Sequence, residues 1–250
     1  MKKTKTSSFF VNIIEDSKGK YIRRKKRKGI KPYARTLSYR KIKRILSNSN
    51  ILYPKILKVH FNCVDEEYIE PTKDINSIPK NEINDYFINL ITSLNSVNIK
   101  KYKNYVSWKN NTEFIKFQIN NFYNAMKISD NTDKLNEAKR RFESININMD
   151  DNRKMSLIHG DLHLNNLIVN NDKIYLIDFE MATIGDLAYE LAIHFILMNY
   201  TEKEEMNFID KILLTINCDK EKLIHDINEY RKFEFIRREI LHGNIDNHNH

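Results

Sequence analysis

Between residues 157 and 178 the chain breaks its own pattern. On both sides apolar residues recur at helical spacing. Within this stretch two short β-type runs, Leu167-Ile168-Val169 and Ile174-Tyr175-Leu176-Ile177, flank the turn formers Asn170-Asn171-Asp172. This stretch is the one exception in an otherwise helical region, and it is where the chemistry-bearing residues gather. The run that leads into it, Leu157-Ile158-His159-Gly160-Asp161, delivers a Gly-Asp pair into a loop. Asn166 follows the aspartate by five residues, and a second aspartate, Asp178, closes the hairpin.

The flanking helices are legible from period alone. Residues 81–94 put Ile83, Phe87, Leu90, Ile91 and Leu94 on one face, and residues 112–126 do the same with Ile115, Ile119, Phe122 and Met126. Further helices are expected over 134–142, 186–198 (strongly apolar, hence buried), 202–214 and 221–241. The N-terminal part reads differently. Phe9–Ile14 is β-branched and aromatic, Ser17-Lys18-Gly19 is a turn, and Lys20–Arg24 resumes extended structure. Gly29–Pro32 breaks the chain, and residues 34–46 carry Leu37, Ile42, Ile45 and Leu46 at helical spacing among basic residues. Ile56–Val59 and Val64–Ile69 are further extended runs. A small sheet with one helix over residues 1–70 is thus expected beside a helical unit over 71–250. The tail from Gly243 to His250 is polar, and fraying is expected there.

Composition limits the alternatives. With 250 residues, 41% of them hydrophobic, the chain can bury a real core, while 5 Gly and 4 Pro exclude collagen-like architectures. No window reaches the ~18 uncharged apolar residues of a membrane span. The N-terminus has too short an apolar run for a signal peptide, and Cys63 and Cys218 match neither a metal spacing nor a disulfide framework. The expected setting is therefore cytoplasmic, with reduced thiols. The 42 Lys+Arg against 33 Asp+Glu give +9 and point to anionic partners. The densest cationic run, residues 18–31, is either a solvated hairpin face, a contact to nucleotide phosphate, or a patch for nucleic acid or acidic lipid.

Asp161, Asn166 and Asp178 offer hard oxygen ligands suited to Mg²⁺. Phosphoryl transfer needs such a set: one carboxylate near the attacking hydroxyl, and a carboxylate with an Asn to hold metal on the phosphates. A zinc site built from His159, His163 and Asp161 is an alternative, disfavoured because Gly160 and the β-type flanks do not make a helix. Trp108, with Tyr102, Tyr105 and Phe114, could line a pocket but is more often core.

The stretch His159-Gly160-Asp161-Leu162-His163-Leu164-Asn165-Asn166, followed by Ile177-Asp178-Phe179-Glu180, resembles the kinase-like small-molecule phosphotransferases, the aminoglycoside phosphotransferases and choline kinases. Gly185-Asp186 with Glu190-Leu191-Ala192 is similar to that family's helix start, with Glu190 where Asp is usual. The resemblance implies a protein-kinase-like two-lobed fold, a reduced β-rich N-lobe and a mostly helical C-lobe, with ATP or GTP and Mg²⁺ between them. By position it implies Asp161 as catalytic base, Asn166 and Asp178 as metal ligands, His159 as a brace of the loop, and Asp186 as helix cap and loop support. Upstream, Ser7 and Ser8 fall in the phosphate-loop hairpin, Arg24 at the phosphate-contacting cation, and Glu67, Tyr68 and Ile69 in the hinge beside the adenine. The phosphate loop lacks glycines, there is no room for a full first strand, and the helix over 34–46 contains no glutamate to pair with the cation. The implied acceptor is a small-molecule hydroxyl on an aminoglycoside, an amino-alcohol such as choline, or a sugar. The alternative function is a catalytically silent kinase-like module that binds nucleic acid or an acidic partner through the basic hairpin.

Overall fold

The structure is a computed structural model, and it describes residues 3–5, 9–17, 19–26, 39–47, 49–128, 132–147 and 153–242. The expected positions Ser7 and Ser8, the break at 29–32 and the tail after 242 lie outside the described residues.

The N-terminal part is a five-stranded antiparallel sheet of order β1-β2-β3-β5-β4: β1 Lys3–Lys5, β2 Phe9–Asp16, β3 Gly19–Lys26, β4 Ile56–Val59 and β5 Cys63–Glu67. The expected hairpin is present, with β2 and β3 in register from Phe9↔Lys26 to Asp16↔Gly19. A short first strand does exist, three residues long and paired with β2. Its charged sequence carries no strand signal, so the pairing alone makes it a strand. Between β3 and β4 lies α1, Tyr39–Leu46. Its apolar side (Ile42, Ile45 and Leu46) is buried in the same cluster as the helices that follow.

The C-terminal part holds α2 Lys80–Ser96, α3 Asn111–Ile128, α4 Thr132–Phe142, α5 Leu187–Met198, α6 Glu202–Leu213 and α7 Lys220–His242. Thr201 and Glu204 form a reciprocal capping box at the start of α6. The inserted β-elements are β6 Ser156–Ile158, β7 Leu167–Asn170, β8 Lys173–Leu176 and β9 Thr183–Gly185, arranged as two two-stranded ladders, β6–β9 and β7–β8. The β7–β8 turn is made by Asn171 and Asp172, both at positive φ, as a tight hairpin requires. α5 is buried along most of its length, and α7 packs against it. Trp108 is core rather than pocket. It is buried against Phe114 and Phe117, and its Nε1–H donates to the Ile184 carbonyl at 2.8 Å. A sheet-rich N-terminal part thus stands beside a mostly helical C-terminal part. Among the described residues no helix is long and apolar enough to cross a membrane.

Candidate active site

The β6–β9 ladder is the platform of the site. Leaving β6, the chain turns at Gly160, where φ is +74° and a Cβ would sit 2.9 Å from the Met181 carbonyl oxygen. Glycine is needed for both reasons. At β9, a Cβ on Gly185 would come within 2.5 Å of Ile158 Cδ1 and 3.0 Å of Phe114 Cζ, so the helical core closes directly on the platform.

Beyond Gly160 the Asp161 carboxylate accepts from Asn166 Nδ2 at 3.1 Å, and the same nitrogen donates to the Asp161 carbonyl at 2.7 Å. His163 Nε2 lies 3.6 Å from Asp161 Oδ2. Burial works to raise the Asp161 carboxyl, but the His163 ring and the Asn166 amide outweigh it and leave the group below its ordinary value. Asp161 is therefore an ionised acceptor at neutral pH, fixed in orientation by the Asn five residues on. The turn Leu164–Asn166 and the bond from the Ile177 N–H to the Asn166 carbonyl (2.9 Å) place Asn166 beside the end of β8.

Asp178 follows with φ +60°, a left-handed backbone that is uncommon for a residue with a side chain. His159 links the two carboxylate-bearing segments. Fully buried, it donates through Nε2–H to the Ile177 carbonyl at 3.0 Å, packs on Phe179 and lies within electrostatic reach of both Asp161 and Asp178. Its Nδ1 has no hydrogen-bond partner, and burial holds the ring below its ordinary pKa.

The opposite wall is contributed by the sheet. Arg24 on β3 is buried; its Nε donates to Glu66 Oε2 at 2.8 Å and its Nη1 to Asp178 Oδ1 at 3.4 Å. Strand alternation puts Arg24 and Glu66 on the inward face, while Arg23 and Asp65 pair on the outward face at 2.7 and 2.8 Å. The expected hinge positions follow. Glu67 ends β5 with its N–H donated to the Lys55 carbonyl at 2.8 Å, Tyr68 lies under Lys20 Nζ (4.3 Å), and Ile69 is buried.

Asp186 caps α5 through the Ala188 N–H at 3.0 Å, but the contact to the loop comes from Glu190, whose Oε2 accepts from the Gly160 N–H at 2.7 Å. Burial pushes the Glu190 carboxyl up to about 7, against the backbone N–H groups that favour its charge. Asp186 is instead matched by a buried Arg153 (2.7 Å) and by the Tyr230 hydroxyl (3.0 Å). Arg153, which also reaches Asp226, gives no signal in its polar sequence context. His194 supports the loop from below, donating to the Leu162 carbonyl at 2.9 Å.

The zinc set His159, His163 and Asp161 does not assemble, because the His159 ring is turned to the Ile177 carbonyl. Among the described residues, His60, Cys63 and Asp65 do bring ligand-type atoms together at the β4–β5 turn, a grouping not apparent from the cysteine spacing. Both Asp65 oxygens already accept from Arg23, and Asp65 Oδ2 also lies 2.9 Å from His60 Nε2. That makes an ion-paired cluster. Asp161, Asn166 and Asp178 offer carboxylate and amide oxygens, the donor chemistry that Mg²⁺ prefers.

Residues 87–215, more than half of the sequence, match the family model described as the phosphotransferase enzyme family. The chain belongs to the phosphotransferase enzyme family. A relative of this chain is a Protein LicA homolog of Metamycoplasma hominis, 37% identical over 84 residues; the match covers 34% of each chain, so only about a third of that relative is spanned. Among solved structures, a Plasmodium vivax ethanolamine kinase superposes with a TM-score of 0.70 at 20% identity, covering 96% of this chain and 74% of that one. The choline kinase LicA from Streptococcus pneumoniae gives 0.56 at 16% identity, covering 94% and 83%.

Proposed function

We propose that this phosphotransferase moves the γ-phosphoryl group of a nucleoside triphosphate to the hydroxyl of a small amino-alcohol of the choline or ethanolamine kind. The observation that carries the reading is geometric: the Asp161 carboxylate is oriented by Asn166 Nδ2 at 3.1 Å, beside the segment that presents Asp178. The choice of an amino-alcohol is supported by the ethanolamine kinase, which superposes with a TM-score of 0.70 against 0.56 to 0.63 for aminoglycoside phosphotransferases that are also similar to this chain.

In this reading the nucleotide lies between the lobes of residues 1–70 and 71–250. Its base meets the backbone at Tyr68 and Ile69, since the Glu67 N–H is already engaged by Lys55. Arg24 faces the phosphates. Asn166 and Asp178 hold Mg²⁺, which neutralises phosphate charge when bound. Asp161 orients the acceptor hydroxyl and takes its proton. The hydroxyl oxygen bonds to the γ-phosphorus as the bond to the β–γ bridging oxygen breaks, and the nucleoside diphosphate leaves. Positioning and charge neutralisation supply most of the acceleration.

The test is nucleotide consumption over a panel of choline, ethanolamine, a hexose and an aminoglycoside, with and without Mg²⁺. Turnover is expected with the amino-alcohols and is lost in Asp161→Asn. No nucleotide consumption with any of the acceptors, together with an absence of Mg²⁺–ATP binding, rejects the reading in favour of a silent module acting through its basic hairpin. That alternative is weakened by the pairing of Lys20, Arg23 and Arg24 with Glu70, Asp65 and Glu66.

A further inference from the structure

We infer that Glu66 is a positioning residue that holds Arg24 back from Asp178 and thereby keeps Asp178 open to a divalent cation. The inference rests on the reading of Asp178 given above. Arg24 stands between two carboxylates: the closer contact, 2.8 Å, is to Glu66 and the longer, 3.4 Å, is to Asp178. Glu66 is 7% exposed and Arg24 5%, so neither charge is dissolved in water. Burial works to raise the Glu66 carboxyl, and Arg24 opposes the rise. The helix beside them supplies no acid to do this work: α1 reads Tyr-Arg-Lys-Ile-Lys-Arg-Ile-Leu, and its Ile42 and Leu46 line a small cavity together with Glu66, Asp178 and Phe179. The partner for the cation comes from the neighbouring strand instead, on the same inward face of the sheet.

The consequence follows from charge competition. A buried guanidinium that loses its carboxylate partner is costly, so it closes on the other carboxylate it already touches. A guanidinium and a dication compete for the same Asp178 oxygens, and an opposite charge within hydrogen-bonding distance stabilises the ionised group against other ligands. A Glu66 that served only to stiffen the sheet would change stability and leave metal affinity alone.

Free and bound Mn²⁺ can be counted by electron paramagnetic resonance in the presence of a non-hydrolysable ATP analogue, for the wild type, Glu66→Gln, Glu66→Asp and Asp178→Asn, with melting curves recorded alongside. Glu66→Gln should weaken Mn²⁺ binding by on the order of tenfold, the size of one pKa unit for a charge brought into contact. Glu66→Asp, whose carboxylate is drawn back by one methylene, should fall between. Wild-type Mn²⁺ affinity in a folded Glu66→Gln overturns the inference. Should that variant not fold, unchanged affinity in Glu66→Asp does the same. Loss of Mn²⁺ in Asp178→Asn alone leaves the reading of the site standing while this inference falls. No Mn²⁺ binding in the wild type, or binding that Asp178→Asn leaves untouched, removes both.

Discussion

From α2 to α7 the molecule packs Phe87, Phe114, Phe122, Phe195 and Tyr230 into one continuous apolar cluster, which also takes in α1. The described part of the sheet encloses Ile56 and Val64, with Val11 and Val59 against them. What the sheet lacks in apolar contact it has in ion pairs: Lys20–Glu70, Arg23–Asp65 and Arg24–Glu66. The two parts therefore rest on different physics. Apolar burial, at about 1.5–3 kcal/mol for a fully buried large side chain, is largely indifferent to salt. Exposed ion pairs contribute ~0–1 kcal/mol each and are screened. The loop that carries Asp161 stands on the first kind of foundation; of the sheet's pairs Lys20–Glu70 is exposed and screened, whereas Arg24–Glu66 is buried and screened much less.

The sharpest cut between chemistry and packing is Asp161→Asn. Turnover should fall by ~10²–10⁴-fold, the range of a lost general base, while the melting temperature stays put; a parallel loss of fold would show that Asp161 belongs to the scaffold. Phe114→Ala attacks the large core where it touches Trp108, Tyr189, Tyr230 and Gly185. A loss of about 3–5 kcal/mol in urea unfolding is expected. Gly160→Ala combines a left-handed backbone with a clash on Met181, and should cost roughly 1–3 kcal/mol while displacing Asp161 and lowering turnover. The smallest effect tests the sheet. In about 1 M salt, where the screening length is ~3 Å, amide cross-peaks of β3 and β5 should lose exchange protection while those of α5 keep it.

Acid tests the same contrast. Arg23, with help from His60 and against burial, holds the Asp65 carboxyl down at about 2. Its contribution is complete above the ordinary carboxylate range near 4 and is lost as pH falls through about 2. Nuclear magnetic resonance should see the β3–β5 pairing loosen there ahead of α5. Simultaneous loosening would mean that the two parts share one cooperative unit.

Where chemistry is local, the sequence announces it. Asn171-Asp172 between two apolar runs specifies its own turn, and Asp161 with Asn166 five residues on can meet through a single 3-10 turn, so the hairpin and the aspartate loop are legible from residues alone. Where a feature depends on distant pairing, they are silent. Lys3–Lys5 and Thr183–Gly185 are strands because β2 and β6 lie beside them, with no pattern of their own. Glu190 as the acceptor for Gly160, Arg153 as the counter-ion of Asp186 and Glu66 as the partner of Arg24 are 30, 33 and 42 residues from their mates. Their roles follow from the register of strands and the seating of helices, which no short window contains.

The indole of Trp108 gives the chain a built-in lamp. It is the molecule's one tryptophan, and its N–H is tied to the strand that ends at Gly185. Its emission therefore reports on the floor beneath the aspartate loop and on little else. Unfolding of the helical part should redden that light, whereas loosening of the outer strands should leave its colour unchanged, so one spectrum can tell which half of the protein has let go.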